Sequence, residues 1–577
     1  MKKTLTNIVK IAYIVLALLT LIGIVKALFV SIDVDESYAV AQAYRLVTGD
    51  KLMYDMWEPH QFSAFLPAIF LYPFVKIFKS TDYCVIYLRM AGLLIHLALG
   101  VFLFFVSKRK TNSLVAAFAF LLHMNFLPKW VAMPEFEVMH YWSMLAVFLL
   151  LLSAEEGKKI ILYLLAGLFF GVSVLCYPSM IPIFFVFVIA MAVRKKKEGI
   201  LPFFAGTILV GLINVAVILI NVSPKELPFF ISYILMDSSH TSSGLTYKLA
   251  TYPAQLKEQG IEIAIGLGVG IVLALIYRIV QKIVWKRKIE VFSFMINILA
   301  FATIWLSLKT LFGYVFGNEN QFYLQSRYIV YAVLFMLIGI KEYKRFSAEL
   351  WYAIIPSILT LPAVFAITNM DSNSLYSKLF IAVIAGIFIF GQKYIIKEEK
   401  ENLGKSDLIL SVCCMVFCLF VLFGCRLFLL RVNGCMPVTI KAKLEKVEYG
   451  PAKGIFVLKN QADAWNSSYK EFREVIDSGK NVLFIGQEQL FYVTFVDRVT
   501  TPSVQGTTAF NEMYGKYYEV FPEKYPEIVV RDASFDVNPA YYYSEENEYI
   551  FKWLEDNNET SVLLNNGYYE IVSVNKK

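Results

Sequence analysis

The dominant pattern along the chain is a series of long apolar runs separated by short polar breaks. Residues 8–30 form the first such run. A bilayer core of about 30 Å is spanned by about 20 helical residues at roughly 1.5 Å each. Further runs of this kind lie near residues 85–106, 113–127, 140–153, 160–176, 179–193, 201–221, 261–280, 291–312, 328–340, 349–366, 379–396 and 407–430. The pattern therefore predicts about 13 transmembrane helices. Met1-Lys2-Lys3 opens the first run with positive charge, and no small-residue cleavage site follows, so that run reads as an uncleaved span.

The polar breaks test this count. Every second one is basic: Lys2, Lys3 and Lys10, then Lys108-Arg109-Lys110, Lys158-Lys159, Arg194 to Lys197, Lys286-Arg287-Lys288, Lys341 with Lys344-Arg345, and Lys393, Lys397, Lys400 and Lys405. Basic loops mark the cytoplasmic side. An odd number of spans then leaves the N-terminus in the cytoplasm and the chain after Arg431 outside the cell membrane. Two outer loops are long, residues 31–84 and 222–260, and two are short, 128–139 and 313–327. In the first, Tyr38 to Thr48 suits a helix that Gly49-Asp50 ends. Pro59 to Phe78 suits a second helix lying in the interface, because one more crossing would put Lys108-Arg109-Lys110 outside.

After Cys435 the pattern changes. Gly454 to Leu458 and Asn481 to Ile485 read as short buried strands, with a helix over Ala462 to Ile476 between them. Ser544 is placed to cap a helix running through Asp556. Thr560 to Leu564 and Tyr568 to Val574 flank Asn565-Asn566-Gly567, a hairpin turn. The predicted fold class is an α-helical polytopic membrane protein with a C-terminal extracellular α/β domain, divided at 1–435 and 436–577. The tail is expected to be a separate folding unit with many exposed tyrosines.

Composition agrees. Hydrophobic residues make up 58%, charged residues 17%, and the mean hydropathy is +0.58. These values exclude a soluble enzyme, a disordered chain and a nucleic-acid binder. The net charge of +8 divides into 39 − 25 = +14 before Met436 and 15 − 21 = −6 from there on. A basic membrane part thus precedes an acidic water-exposed part. None of the seven cysteines lies in the tail and no CxxC spacing occurs, so the thiols read as small buried hydrophobes.

Candidate chemistry gathers at the outer side. Asp33, Asp35 and Glu36 stand within four residues, followed by Ser37-Tyr38, directly after the first span. Such a cluster calls for a cation, a hydrogen-bond partner or a proton. Its position suits a general base or a metal-ligating set ahead of the plain alternative, a helix cap. Trp57-Glu58-Pro59-His60 is a second polar knot, able to hold a substrate hydroxyl or a metal, or simply to start a helix. Lys129, Glu135 and Glu137 lie in the 128–139 loop. Arg89, Lys309 and Arg327 stand near outer span ends, either binding phosphate or snorkelling to headgroups. His96 and His123 read as satisfied bundle residues, and His240 sits in a small polar stretch that resembles a flap. No Walker, GxGxxG or GxSxG motif occurs.

Asp35-Glu36-Ser37-Tyr38 after the first span, Glu58-Pro59 before an interfacial helix, Ser326-Arg327-Tyr328 before a late span, and an outward tail together resemble the GT-C superfamily of membrane glycosyltransferases. The nearest branch is bacterial family 39, which holds the aminoarabinose transferase of lipid A and relatives of protein O-mannosyltransferases. The resemblance implies inverting transfer of a hexosyl or pentosyl group from a polyprenyl-phosphate donor to an extracytoplasmic acceptor. It makes Asp35 the general base and gives Glu36 or Asp33 the task of orienting it. Asp33 and Asp35 would be ligands for a divalent cation, Mg²⁺ or Mn²⁺, if one is used. Arg89, Lys129, Lys309 or Arg327 would face the leaving phosphate, and Tyr38, Glu58, His60, Glu135, Glu137 and Tyr328 would line the substrates. The lysine that follows the first-loop glutamate in the aminoarabinose transferase is absent here, where Pro59 follows Glu58. A transporter or flippase of a lipid-linked solute, a non-catalytic scaffold, and a polymer ligase of the same topology remain the alternatives.

Overall fold

The computed structural model describes residues 2–128, 131–157, 159–234, 245–285, 291–316, 336, 339–340, 342–367, 378–395, 410, 414, 430–431, 437–438, 442–476, 479–485, 488–505, 511–533 and 545–577. The apolar runs fold as helices α1 (Lys2–Phe29), α4 (Cys84–Lys110), α5 (Ser113–Asn125), α6 (Phe136–Gly157), α7 (Ile160–Cys176), α8 (Ile181–Val193), α9 (Ile200–Asn221), α11 (Leu245–Trp285), α12 (Val291–Phe316) and α15 (Phe380–Ile395). Tyr343–Glu349 (α13) passes through a π-helical turn, Leu350–Ile354, into Ile355–Ile367 (α14). The polar segments add α2 (Val34–Thr48), α3 (Phe65–Phe78) and α10 (Leu227–Ile234). Among the described residues, six helices are long and apolar enough to cross a membrane, and further apolar helices are shorter. The chain is a multi-pass membrane protein. The expected spans at 328–340 and 407–430 lie almost wholly outside the described residues.

Burial sorts the helices. α6 is buried along nearly its whole length, whereas α1 and α9 expose Ile11, Leu18, Leu212 and Ile220. An apolar side chain that would be a liability in water is at home against lipid. α7 and α9 pack backbone to backbone: a Cβ added to Gly167 or Gly206 would overlap the carbonyl of Phe203 or Leu164. Small residues at such a seam let membrane helices approach closely.

The tail contains β1 (Leu430–Arg431) paired with β2 (Pro437–Val438), β3 (Leu444–Lys446) paired with β4 (Phe456–Leu458), and a four-stranded sheet of order β5-β6-β8-β7. In that sheet β5 (Val482–Ile485) runs parallel to β6 (Ile528–Asp532). β8 (Tyr569–Lys576) is antiparallel to β6 and to β7 (Asn558–Asn565). Helices α16 (Lys459–Val475), α17 (Gln489–Phe495), α18 (Asn511–Val520) and α19 (Glu545–Asn557) connect and cover the strands. The expected hairpin forms because Gly567 takes a left-handed backbone (φ 83°). Asn565 Oδ1 accepts from Gly567 N–H, and Asn566 Oδ1 from Tyr568 and Tyr569 N–H.

The tail does not stand apart. Its core is continuous with the first outer loop: Tyr38, Tyr44, Leu71 and Val85 pack in one cluster with Val457, Trp465, Phe484 and Tyr569. Ser31 N–H donates to Phe456 O at 2.7 Å, Val85 N–H to Pro451 O at 3.2 Å, and Trp57 N–H to Pro502 O at 2.9 Å. Two segments that share a core lie on the same side of a bilayer, so the chain between them makes an even number of crossings. The expectation of many exposed tyrosines is corrected. Tyr492, Tyr514, Tyr517, Tyr518 and Tyr569 are all buried, because they build the sheet–helix core and its contact with the loop.

Candidate functional site

α2 begins at Asp33, whose Oδ1 accepts from Asp35 N–H at 3.1 Å, while Glu36 Oε2 accepts from Asp33 N–H at 3.5 Å. This reciprocal capping box satisfies backbone donors that a helix start leaves open. Glu36 is also gripped by Arg89 through two bonds of 2.6 Å, Nε to Oε1 and Nη2 to Oε2. The same guanidinium donates from Nη1 to Ala27 O and Leu28 O, both at 3.0 Å, and from Nη2 to Ser31 O at 2.5 Å. These bonds use all five of its N–H donors and close the carbonyl end of α1. Arg89 and Glu36 are both buried. They form a clamp that fixes the turn between α1 and α2. Of the three acids, Asp35 is half-buried, whereas Asp33 and Glu36 are buried.

The other end of α2 is held equally firmly. Gly49, with φ 103°, closes the helix in the left-handed conformation. Arg45, on α2 and fully buried, donates to Asp50 Oδ2 (2.7 Å), Glu58 Oε1 (3.1 Å), Asp55 O (2.6 Å) and Pro502 O (3.2 Å). Glu58 Oε2 accepts from Ser503 Oγ–H and Val504 N–H, each at 3.1 Å. Burial raises the Glu58 carboxyl above its ordinary range, and the Arg45 charge and these bonds only partly offset that. At Asp55 burial also acts upward, but the 2.6 Å bond and the charge of Lys524 prevail and hold its carboxyl below the usual range. Glu58 thus joins loop to tail. Five of the six non-glycine residues with positive φ among the described residues, Ser31, Met53, His60, Lys79 and Tyr83, lie in this one loop. Such conformations cost of order 1–3 kcal/mol each and persist only where the surroundings over-determine them.

A second polar group forms at the outer start of α6. Glu135 caps that helix, accepting from Glu137 and Val138 N–H at 2.9 and 2.7 Å. Glu137 Oε1 faces Lys378 Nζ at 3.4 Å, and the same ammonium lies 4.1 Å from the Tyr177 ring centroid. His140, beside Tyr177, bonds Ser173 at 2.8 Å. His60 stacks on Phe136 with centroids 3.9 Å apart, and Tyr38 Oη–H donates to Pro59 O at 2.7 Å. The two polar knots of the first outer loop and the Glu135-x-Glu137 pair are thereby brought into one neighbourhood.

No protein-family model matches this sequence, and no curated protein matches it. Among solved structures the chain is similar to the archaeal oligosaccharyltransferase AglB from Archaeoglobus fulgidus in complex with an inhibitory peptide and a dolichol-phosphate. The identity is 11% and the TM-score 0.46, over 99% of this chain and 74% of that one. It is also similar to the Archaeoglobus fulgidus oligosaccharyltransferase in complex with Zn and sulfate, at 12% identity and TM-score 0.42, over 91% and 68%. Against the apo form of that enzyme the values are 11% and 0.45, over 92% and 70%. Likeness at this level carries no chemistry across, so the roles below come from this chain's own residues.

The remaining sequence candidates fall elsewhere. Lys309 lies on α12, which packs on α11. Lys129, His240, Arg327 and Tyr328 lie outside the described residues. His96 and His123 are satisfied inside the bundle, each ring bonding the other's carbonyl at 3.0 and 2.9 Å. As ligands for a divalent cation Asp33 and Asp35 fit poorly. Asp33 is engaged as the helix cap, Glu36 belongs to Arg89, and no group of three His, Cys, Asp or Glu among the described residues is placed to hold a metal. Arg45, Tyr177, His140 and Lys378 went unnoticed in the sequence. Lys378 carries the signal that picked out Arg89, a cation at the edge of an apolar run. Tyr177, His140 and Arg45 carry none.

Proposed function

We propose that this chain is a membrane glycosyltransferase, moving a sugar from a polyprenyl-phosphate donor to an extracytoplasmic acceptor with inversion, and that Asp35 is the general base. The reading rests on one observation above all. Asp35 stands half-buried on the first turn of a helix that is fixed at its start by the Asp33–Glu36 capping box and Arg89, and further along by Arg45. A base acts through position first, and one held within hydrogen-bond reach is typically worth about 10²–10⁴-fold. Asp35 takes the proton of the acceptor as its nucleophilic atom attacks the anomeric carbon. The phosphate leaves from the opposite face. With every donor engaged, Arg89 serves as a positioning residue for α2, and Lys378, between Glu137 and Tyr177, is the cation assigned to the leaving phosphate. Lys129 and Arg327 are further candidates for that task. Positive-inside loop charge supports a cytoplasmic N-terminus and an extracellular tail.

The test is purified protein in nanodiscs with labelled polyprenyl-phosphate sugars, wild type against Asp35→Asn. Release of free lipid phosphate by the wild type alone supports the reading. Equal release by both ends the case for Asp35.

A further inference from the structure

Where the first outer loop meets the tail lies a cavity of about 570 Å³, within the size range of small-ligand sites. One wall comes from Tyr44 and the 79–82 linker between α3 and α4. The other comes from α16, the last turn of α17 and the two residues that follow it. Its lining is mainly polar and includes Lys79, Arg473, Asp497, Ser80 and Tyr469. Much of that polarity has no internal use. Neither Lys79 Nζ nor the Asp497 carboxylate has a hydrogen-bond or ion-pair partner among the described residues, and both side chains are exposed. Arg473 donates once, from Nη2 to Thr494 O at 2.9 Å, and its guanidinium lies 5.2 Å from the Tyr469 ring centroid. Asp82 is already neutralised by Lys453 at 2.8 Å and by the Gly450 N–H. Two cations and one carboxylate are therefore left facing a ligand-sized space, beside a Tyr469 ring already stacked on Tyr449 (4.6 Å between centroids).

We infer that this cavity binds an anionic saccharide, a sugar chain bearing a carboxylate or phosphate group. Lys79 and the unused N–H groups of Arg473 take the anionic group, a geometry that guanidinium suits in particular. Asp497 and Ser80 accept and donate to ring hydroxyls. The site is distinct from the one at Asp35. Tyr44 is nine residues further along α2, about 14 Å at the helical rise and half a turn round. A ligand in the cavity leaves Asp35 uncovered. The inference deepens the proposed function, on which it rests for the meaning of the site: a second hold on a growing or acceptor glycan beside the place of transfer.

The experiment measures binding by calorimetry and saturation-transfer NMR on the full chain in nanodiscs. The probes are oligogalacturonate, maltohexaose as a neutral control, and inorganic phosphate. Oligogalacturonate should bind at least ten times more tightly than maltohexaose or phosphate. Lys79→Gln, at an exposed residue whose side chain holds nothing in place, should weaken it about tenfold, and Arg473→Gln by more. Asp35→Asn should bind it as the wild type does. Retained binding with lost turnover in that variant supports both readings. Binding without turnover even in the wild type keeps the cavity and sinks the transferase. No oligogalacturonate binding, equal binding of maltohexaose or phosphate, or an unchanged affinity in Lys79→Gln overturns the inference.

Discussion

Removing the partner of Glu36 would leave a carboxylate in a place with almost no water. Breaking one side of a buried pair costs about 3–5 kcal/mol, whereas removing both sides together costs far less. Arg89→Met is therefore expected to lower thermal stability by that amount, and Arg89→Met with Glu36→Leu to recover most of it, measured by thermal unfolding in nanodiscs. A melting point unmoved by the single change would show that the clamp is not what holds α2. Asp35→Asn should show itself in catalysis: turnover down by about 10²–10⁴-fold, with the loss in kcat rather than KM. The sequence put all three acids at one spot but left open which would cap, which would pair and which would remain half-buried. Spacing alone cannot tell these apart, because each role suits a carboxylate at a helix start. Arg89 53 residues away decided it.

At the scale of elements, helices and strands were largely legible. Apolar length gave most of the apolar helices, Gly49 gave the end of α2, and Asn565-Asn566-Gly567 gave the β7–β8 hairpin. Strand β6 was missed, though it sits between β5 and β8. Its five residues end in Arg531 and Asp532, which hide the buried apolar core Ile528-Val529-Val530. At the carboxyl ends of β5 and β6 two acids come together. Burial pushes the Glu488 carboxyl up to about 7, against its bonds from Tyr569 and Trp465, and burial together with the Glu488 charge raises Asp532 well above its ordinary range. The folded state then holds protons that the unfolded chain releases above the ordinary carboxylate range. Stability is therefore expected to fall as pH rises from about 4.5 toward 7, by up to about 3 kcal/mol at 1.36 per unit. Glu488→Gln should flatten that slope in melts at pH 5 and 7.5. An identical slope in the variant would remove Glu488 from the account.

For the whole molecule, the decisive feature is that loop and tail share a core. Trp57 is fully buried against Phe229, Phe230, Tyr233, Tyr517 and Phe521. Trp57→Ala is expected to cost about 3–5 kcal/mol and to open the tail to limited proteolysis ahead of the membrane helices. Proteolysis at the wild-type rate would mean the tail is held elsewhere. Lys459→Cys, at an exposed position of α16, should react with an impermeant maleimide on intact cells. Labelling only after lysis would turn the membrane orientation over. The sequence by itself determined the membrane class, most of the spans, the charge asymmetry and the local elements of the tail. These depend on residues near one another along the chain, through apolar length, loop charge and turn chemistry. The tertiary structure alone decided that the tail closes over the first outer loop, that the tyrosines face inward, and that Arg45 and Arg89 lock α2 from opposite ends. Each of these depends on groups tens to hundreds of residues apart, and no pattern along the chain records which distant partner a buried charge will meet.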